Sequence, residues 1–103
     1  MDAGCKWDAA TAVTRAALLS PFHIMWLEEP LSQDDDAGYA ELCAATDMPI
    51  ACGEGECTMF EFARLHAAGL SKLQPDIAMC GGLTVCKQVR CPCPCGSPRP
   101  CPA

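Results

Sequence analysis

Basic residues are scarce in this 103-residue chain, which carries seven Lys and Arg against thirteen Asp and Glu and a formal net charge of −6. The seven are scattered rather than gathered on one stripe, so the electrostatic footprint of a DNA- or RNA-binding surface is missing and no nucleic-acid partner is expected. Long apolar runs are lacking as well. None approaches the length that spans a bilayer, and the N-terminus has no basic segment leading into an apolar core and cleavage site, so a cytoplasmic chain with no membrane partner is expected. Histidine is limited to His23 and His66.

Hydrophobic residues make up half of the chain, which argues against disorder throughout. The length suits one small domain or a piece of a larger one. Cysteine is abundant at ten residues, but unevenly so. Cys91, Cys93, Cys95 and Cys101 fall in the terminal run "CPCPCGSPRPCPA". The other six are spread singly among apolar residues and are read as reduced thiols acting as small hydrophobes, without a function of their own.

Local patterns alternate between helix and strand. Residues 8–19 place Ala9, Ala12, Val13, Ala16 and Ala17 on one helical face, with Asp8 positioned to cap and Ser20–Pro21 to stop. The apolar run Ile24 to Leu27, bounded by Pro30, predicts a strand buried on both faces. Asp34, Asp35 and Asp36 load the start of a second helix, where the macrodipole favours negative charge, and Tyr39, Leu42 and Cys43 share its inner face. Met48 to Cys52 predicts a second strand, ending in Gly53 and Glu54. Thr58 and Glu61 have capping-box spacing for a third helix with Met59, Phe62 and Ala63 buried, and Gly69 supplies a stop. "KLQPDIAMCGG" predicts a third strand with Asp76 near its middle or end, and Thr84 a cap for a last helix.

Strands and helices in this order predict an α/β fold of consecutive parallel βα units, in a doubly wound sheet or a TIM-type (β/α) barrel. Asp2, Glu28 and Glu54 fall at the C-terminal ends of strands or presumed strands, each 26 residues after the one before. In a barrel these ends converge on one mouth, which favours the barrel, about half of one being present. Three converging carboxylates repel one another unless a cation compensates them, and hard oxygen ligands suit Mg²⁺. Taken singly, each acid has a plain alternative as a solvated loop residue.

"DAG" followed by Trp7, "MWLEEPL", "PIACGE" and "LQPDIAMCGGLT", in this order and spacing, resemble the barrel domain of the enolase superfamily, in its mandelate racemase and sugar-acid dehydratase branch. The resemblance covers about residues 2 to 90. It implies Mg²⁺ as cofactor, with Asp2, Glu28 and Glu54 as its ligands, while Glu29 supports the site or the helix layer. It also implies a catalytic role for Asp76, which matches the aspartate that orients and charges a histidine in the racemase branch; the muconate-lactonizing branch has a lysine there. The implied reaction removes the proton alpha to the carboxylate of a sugar acid and then expels a β-hydroxyl, with racemisation as the variant.

The chain also departs from that family. His23 precedes a strand and His66 lies on a helix, so both are read as structural, and the family's catalytic histidine would lie beyond the point where "CPCPCGSPRPCPA" begins. Residues 1–90 are therefore expected to form a partial barrel domain, inactive alone and inclined to self-associate through exposed sheet edges. Residues 91–103 are expected to be a disordered tail, either a biased segment of the kind a shifted reading frame produces or a thiolate site for zinc or copper. A non-catalytic remnant or interaction module is the competing reading of the whole.

Overall fold

The computed structural model describes residues 1–90. The tail expectations placed on residues 91–103 lie outside the described residues. Helix α1 spans Ala9–Leu19, and a 3-10 turn, Ser20–Phe22, continues it; then follow β1 (Leu27–Glu28), α2 (Asp36–Ala45), β2 (Ile50–Cys52), α3 (Met59–Ala67), β3 (Lys72–Leu73) and α4 (Leu83–Arg90). The strands are parallel in the order β1-β2-β3, and Asp2 adds an isolated parallel bridge to Glu28. This is the α/β alternation expected.

Local chemistry sets the helix starts. The Asp8 carboxylate accepts from the Thr11 amide at 2.7 Å, and that of Asp35 accepts from Gly38 at 2.9 Å, so α1 and α2 both begin on side-chain caps. At α3, one oxygen of Glu61 accepts from the amides of Cys57 and Thr58 at 2.8 and 2.7 Å. Those hydrogen bonds hold the Glu61 carboxyl below its ordinary range.

Helices α1, α2 and α3 cover one face of the sheet. Leu27, Ile50 and Cys52 point into the core with Ala12, Ala16, Leu31, Tyr39, Leu42, Leu65 and Leu70, and Leu73 packs at its margin. Register then assigns Asp2, Glu28, Ala51 and Lys72 to the opposite face, in one row across the sheet. The acids Asp2 and Glu28 thus lie on the face that the helices leave uncovered.

Prolines account for the strands' shortness. Leu27 donates to the Pro49 carbonyl and Glu29 to that of Ala51, but Pro49 has no N–H with which to continue the ladder toward Met25. The expected strand from Ile24, buried on both faces, is therefore not formed: Met25 is 73% exposed and only Leu27–Glu28 pair. Likewise β2 starts at Ile50 rather than Met48. Gln74 still donates to the Cys52 carbonyl, but Pro75 ends the extended run, and Asp76 lies in a turn beyond β3 rather than on a strand. Helix α4 begins at Leu83, so Thr84 sits inside its first turn and is not its cap.

Candidate metal centre

The C-terminal edge of the sheet gathers the backbones of the predicted acids. Ala3 donates to the Glu28 carbonyl at 2.9 Å and Glu28 to the Met1 carbonyl at 2.8 Å, which fixes Asp2 beside Glu28. Glu54 follows Gly53, whose φ of +125° turns the chain out of β2; a Cβ there would lie 2.9 Å from the Phe62 ring, so the turn needs glycine.

Side chains at this edge are arranged differently from one another. Glu28 Oε2 accepts from the Trp26 indole N–H at 3.0 Å and Oε1 from the Gln74 amide at 2.9 Å. These two hydrogen bonds, the indole's first, pull its carboxyl below the ordinary range. Asp2 Oδ1 accepts from the Gly4 amide at 2.8 Å, and Glu54 is exposed. Among the described residues no three His, Cys, Asp or Glu side chains are gathered closely enough to hold a metal ion. The strand ends come together; the carboxylates do not close on a common point.

The donor set nevertheless suits a hard cation. All three groups are carboxylates, and each oxygen of Glu28 accepts a single N–H and so keeps a lone pair.

Glu29 leaves the strand at φ +42° and is 7% exposed. Its two oxygens accept from the Cys5 thiol at 3.5 Å and the Gln33 amide at 3.4 Å, so it ties together the loops after Asp2 and after β1. Burial, and then the charge of Glu29, push the Cys5 thiol up to about 11. Asp76 uses its carboxylate locally, accepting from the Ala78 amide at 2.8 Å, while its carbonyl accepts from Met79 and Cys80. His23 closes the 3-10 turn and His66 lies in the last turn of α3, both exposed.

Sequence reasoning missed Gln74 and the hydrogen-bonding role of Trp26. Parity could have found them, since each lies two residues from a position in the Asp2–Glu28–Ala51–Lys72 row and so shares its face. The Lys72 ammonium lies 5.6 Å from the centre of the Trp26 ring on that same face.

Comparison with known proteins decides the family. Residues 1–93 match the family described as enolase C-terminal domain-like. The chain belongs to that family. Among curated relatives, it is 43% identical over 72 residues to a D-galactonate dehydratase of Ralstonia nicotianae, 69% of this chain and 19% of that one. It is 38% identical over 85 residues to an L-talarate/galactarate dehydratase of Salmonella typhimurium, 82% of this chain and 21% of the relative. Among solved structures, a racemase from Streptomyces coelicolor with bound magnesium superposes with a TM-score of 0.83 at 36% identity, over 86% of this chain and 27% of that one. L-Talarate dehydratase from Polaromonas sp. JS666, complexed with Mg and L-glucarate, gives 0.82 at 34% identity, over 86% and 25%. The chain thus spans about a fifth of the two dehydratases named first.

Proposed function

We propose that this chain carries the Mg²⁺-binding edge of an enzyme that removes the proton alpha to a carboxylate, in the sugar-acid dehydratase manner, with Asp2, Glu28 and Glu54 as the metal's ligands. The observation that carries this reading is the backbone register, which sets Asp2 and Glu28 side by side on the uncovered face and puts Glu54 one βα unit further on at the same edge. The relatives named as sugar-acid dehydratases, and the racemase and dehydratase solved with magnesium, support it.

Within this site Glu28 is held ionised and oriented by Trp26 and Gln74, ready to bind a cation without first losing a proton. Bound magnesium would supply positive charge where negative charge develops on the substrate's carboxylate oxygens. Asp76 is proposed as the group that orients a histidine. Neither of this chain's histidines serves, because His23 and His66 lie on other elements and are exposed. The 103 residues alone are therefore expected to bind metal without turning substrate over.

A Mg²⁺ titration followed by Trp26 emission tests the ligand set, since the indole N–H touches the carboxylate that takes the metal. A saturable response below the millimolar range is expected, and Glu28→Gln should weaken it by about tenfold or more. A response that E28Q leaves unchanged would contradict the proposal and favour a non-catalytic chain.

A further inference from the structure

Cysteines that the sequence spreads singly are brought together at one place. Cys80 Sγ and Cys86 Sγ lie 3.2 Å apart, one in the turn after β3 and the other in α4. That is about 1.2 Å longer than a disulfide bond. Gly81 and Gly82, at φ +87° and +95°, turn the chain back so that the start of α4 folds over Cys80. A side chain on either glycine would be strained at those angles. The Cys86 amide donates to the Gly82 carbonyl at 3.2 Å, so the turn and the helix's first hydrogen bond are one unit.

Access differs between the two thiols. Cys80 is fully buried, whereas Cys86 is partly exposed, and its thiol also approaches the Pro75 carbonyl at 4.0 Å. The turn that holds Cys80 is itself organised by Asp76, whose carbonyl accepts from the Cys80 amide at 2.8 Å.

We propose that Cys80 and Cys86 form a redox-active dithiol that closes to a disulfide by exchange with a small-molecule disulfide, pinning the Asp76 turn to α4. The Cys86 thiolate attacks the external disulfide, forming a mixed disulfide and releasing one thiolate. The Cys80 thiolate then attacks Cys86 Sγ, closing the protein disulfide and expelling the second thiolate. Two protein thiols are oxidised, one external disulfide is reduced to two thiols, and the two protons pass to the released thiolates. The hydrogen bond with Cys80 holds the Cys86 thiol above its ordinary range, so exchange should be faster in mildly alkaline buffer.

Peptide mapping of the whole 103-residue chain tests this. The reduced protein is incubated with oxidised glutathione, blocked with an alkylating agent and digested with trypsin. Cleavage after Lys72 and Lys87 puts both cysteines in the single peptide 73–87. That peptide should appear without alkyl groups and two hydrogens lighter before Cys43 and Cys52 react. Oxidation should also slow hydrogen exchange at the Ala78 and Cys80 amides about tenfold. The variant Cys80→Ser should stop at a Cys86–glutathione mixed disulfide. A wild-type protein that stops at that mixed disulfide, joins either cysteine to another, or stays fully alkylated would overturn the proposal; so would exchange rates unchanged by oxidation.

Discussion

Two buried carboxylates, Glu29 and Glu56, sit close to the proposed metal centre without belonging to it. Glu56 is 4% exposed, and its Oε1 has an ionic contact at 3.6 Å with Arg64 but no hydrogen bond among the described residues. Arg64 is shared with Asp34 at 3.7 Å and Asp36 at 3.4 Å, so one cation faces three acids. Burial first, and then the charge of Glu61, push the Glu56 carboxyl above its ordinary range, which outweighs the pull of Arg64. A carboxyl that titrates higher folded than unfolded binds its proton more tightly in the native state. Its ionisation therefore costs stability, and the cost grows as pH rises from the ordinary Glu range through the raised value and levels off above it. Asp8, Glu28 and Glu61 are shifted the other way, so what they contribute is present above the ordinary carboxylate range and lost below it. Glu56→Gln should accordingly raise stability near pH 7, by up to about 1 kcal/mol, and flatten the change between about pH 5 and pH 7. Urea unfolding of both proteins at the two pH values checks this. An E56Q protein less stable than wild type near neutrality would show that the pair with Arg64 dominates.

Elements here are short, and their cohesion depends on a few buried links between loops and helices. Tyr39, fully buried on α2, donates its hydroxyl to the Leu31 carbonyl at 3.1 Å and so anchors the loop after β1 to the helix that follows. Removing the hydroxyl in Tyr39→Phe leaves that buried carbonyl without its donor, and unfolding free energy should fall by about 1–2 kcal/mol with little change in helix content by circular dichroism. A neutral effect would mean that water reaches Leu31. The helices were legible in the sequence because their signals are local: Asp8, Asp35 and the Thr58–Glu61 pair each bond within four residues of themselves. The strand bounds were not, because they depend on whether a neighbouring strand has an N–H to give. Pro49 cuts β1 short from across the sheet, and no pattern within Ile24 to Leu27 announces it. Asp76 departs from the expected strand for a related reason, its local turn bonds to Ala78, Met79 and Cys80 prevailing over extension after Pro75. Of the proposed site, the three acids were readable from spacing and resemblance. Gln74 and Trp26 needed the register, and the Cys80–Cys86 contact needed the turn that Gly81 and Gly82 make.

Taken whole, the described residues form a three-stranded parallel sheet with its helices on one face and Asp2, Glu28 and Lys72 on the other, with Ala51 between them. Among those residues, the outer edge of β3 has no partner strand, and no helix is long and apolar enough to cross a membrane. Phe22, Met25, Phe60 and Leu83 are each more than 70% exposed. An unpaired edge and exposed apolar side chains both favour self-association, and sedimentation velocity should show the average mass rising with protein concentration. A monodisperse monomer at all concentrations would refute that expectation.

The central claim is that Asp2, Glu28 and Glu54 bind one divalent cation together, although among the described residues their side chains are not gathered on a common point. Substoichiometric Mn²⁺ in place of Mg²⁺, followed by amide NMR of the intact chain, addresses all three positions at once, because a paramagnetic ion broadens the signals nearest to it. Broadening should concentrate at the amides flanking Asp2, Glu28 and Glu54 and be reversed by excess Mg²⁺. Broadening centred instead on the Asp34–Asp36 run, or spread evenly over the acidic surface, would contradict the claim.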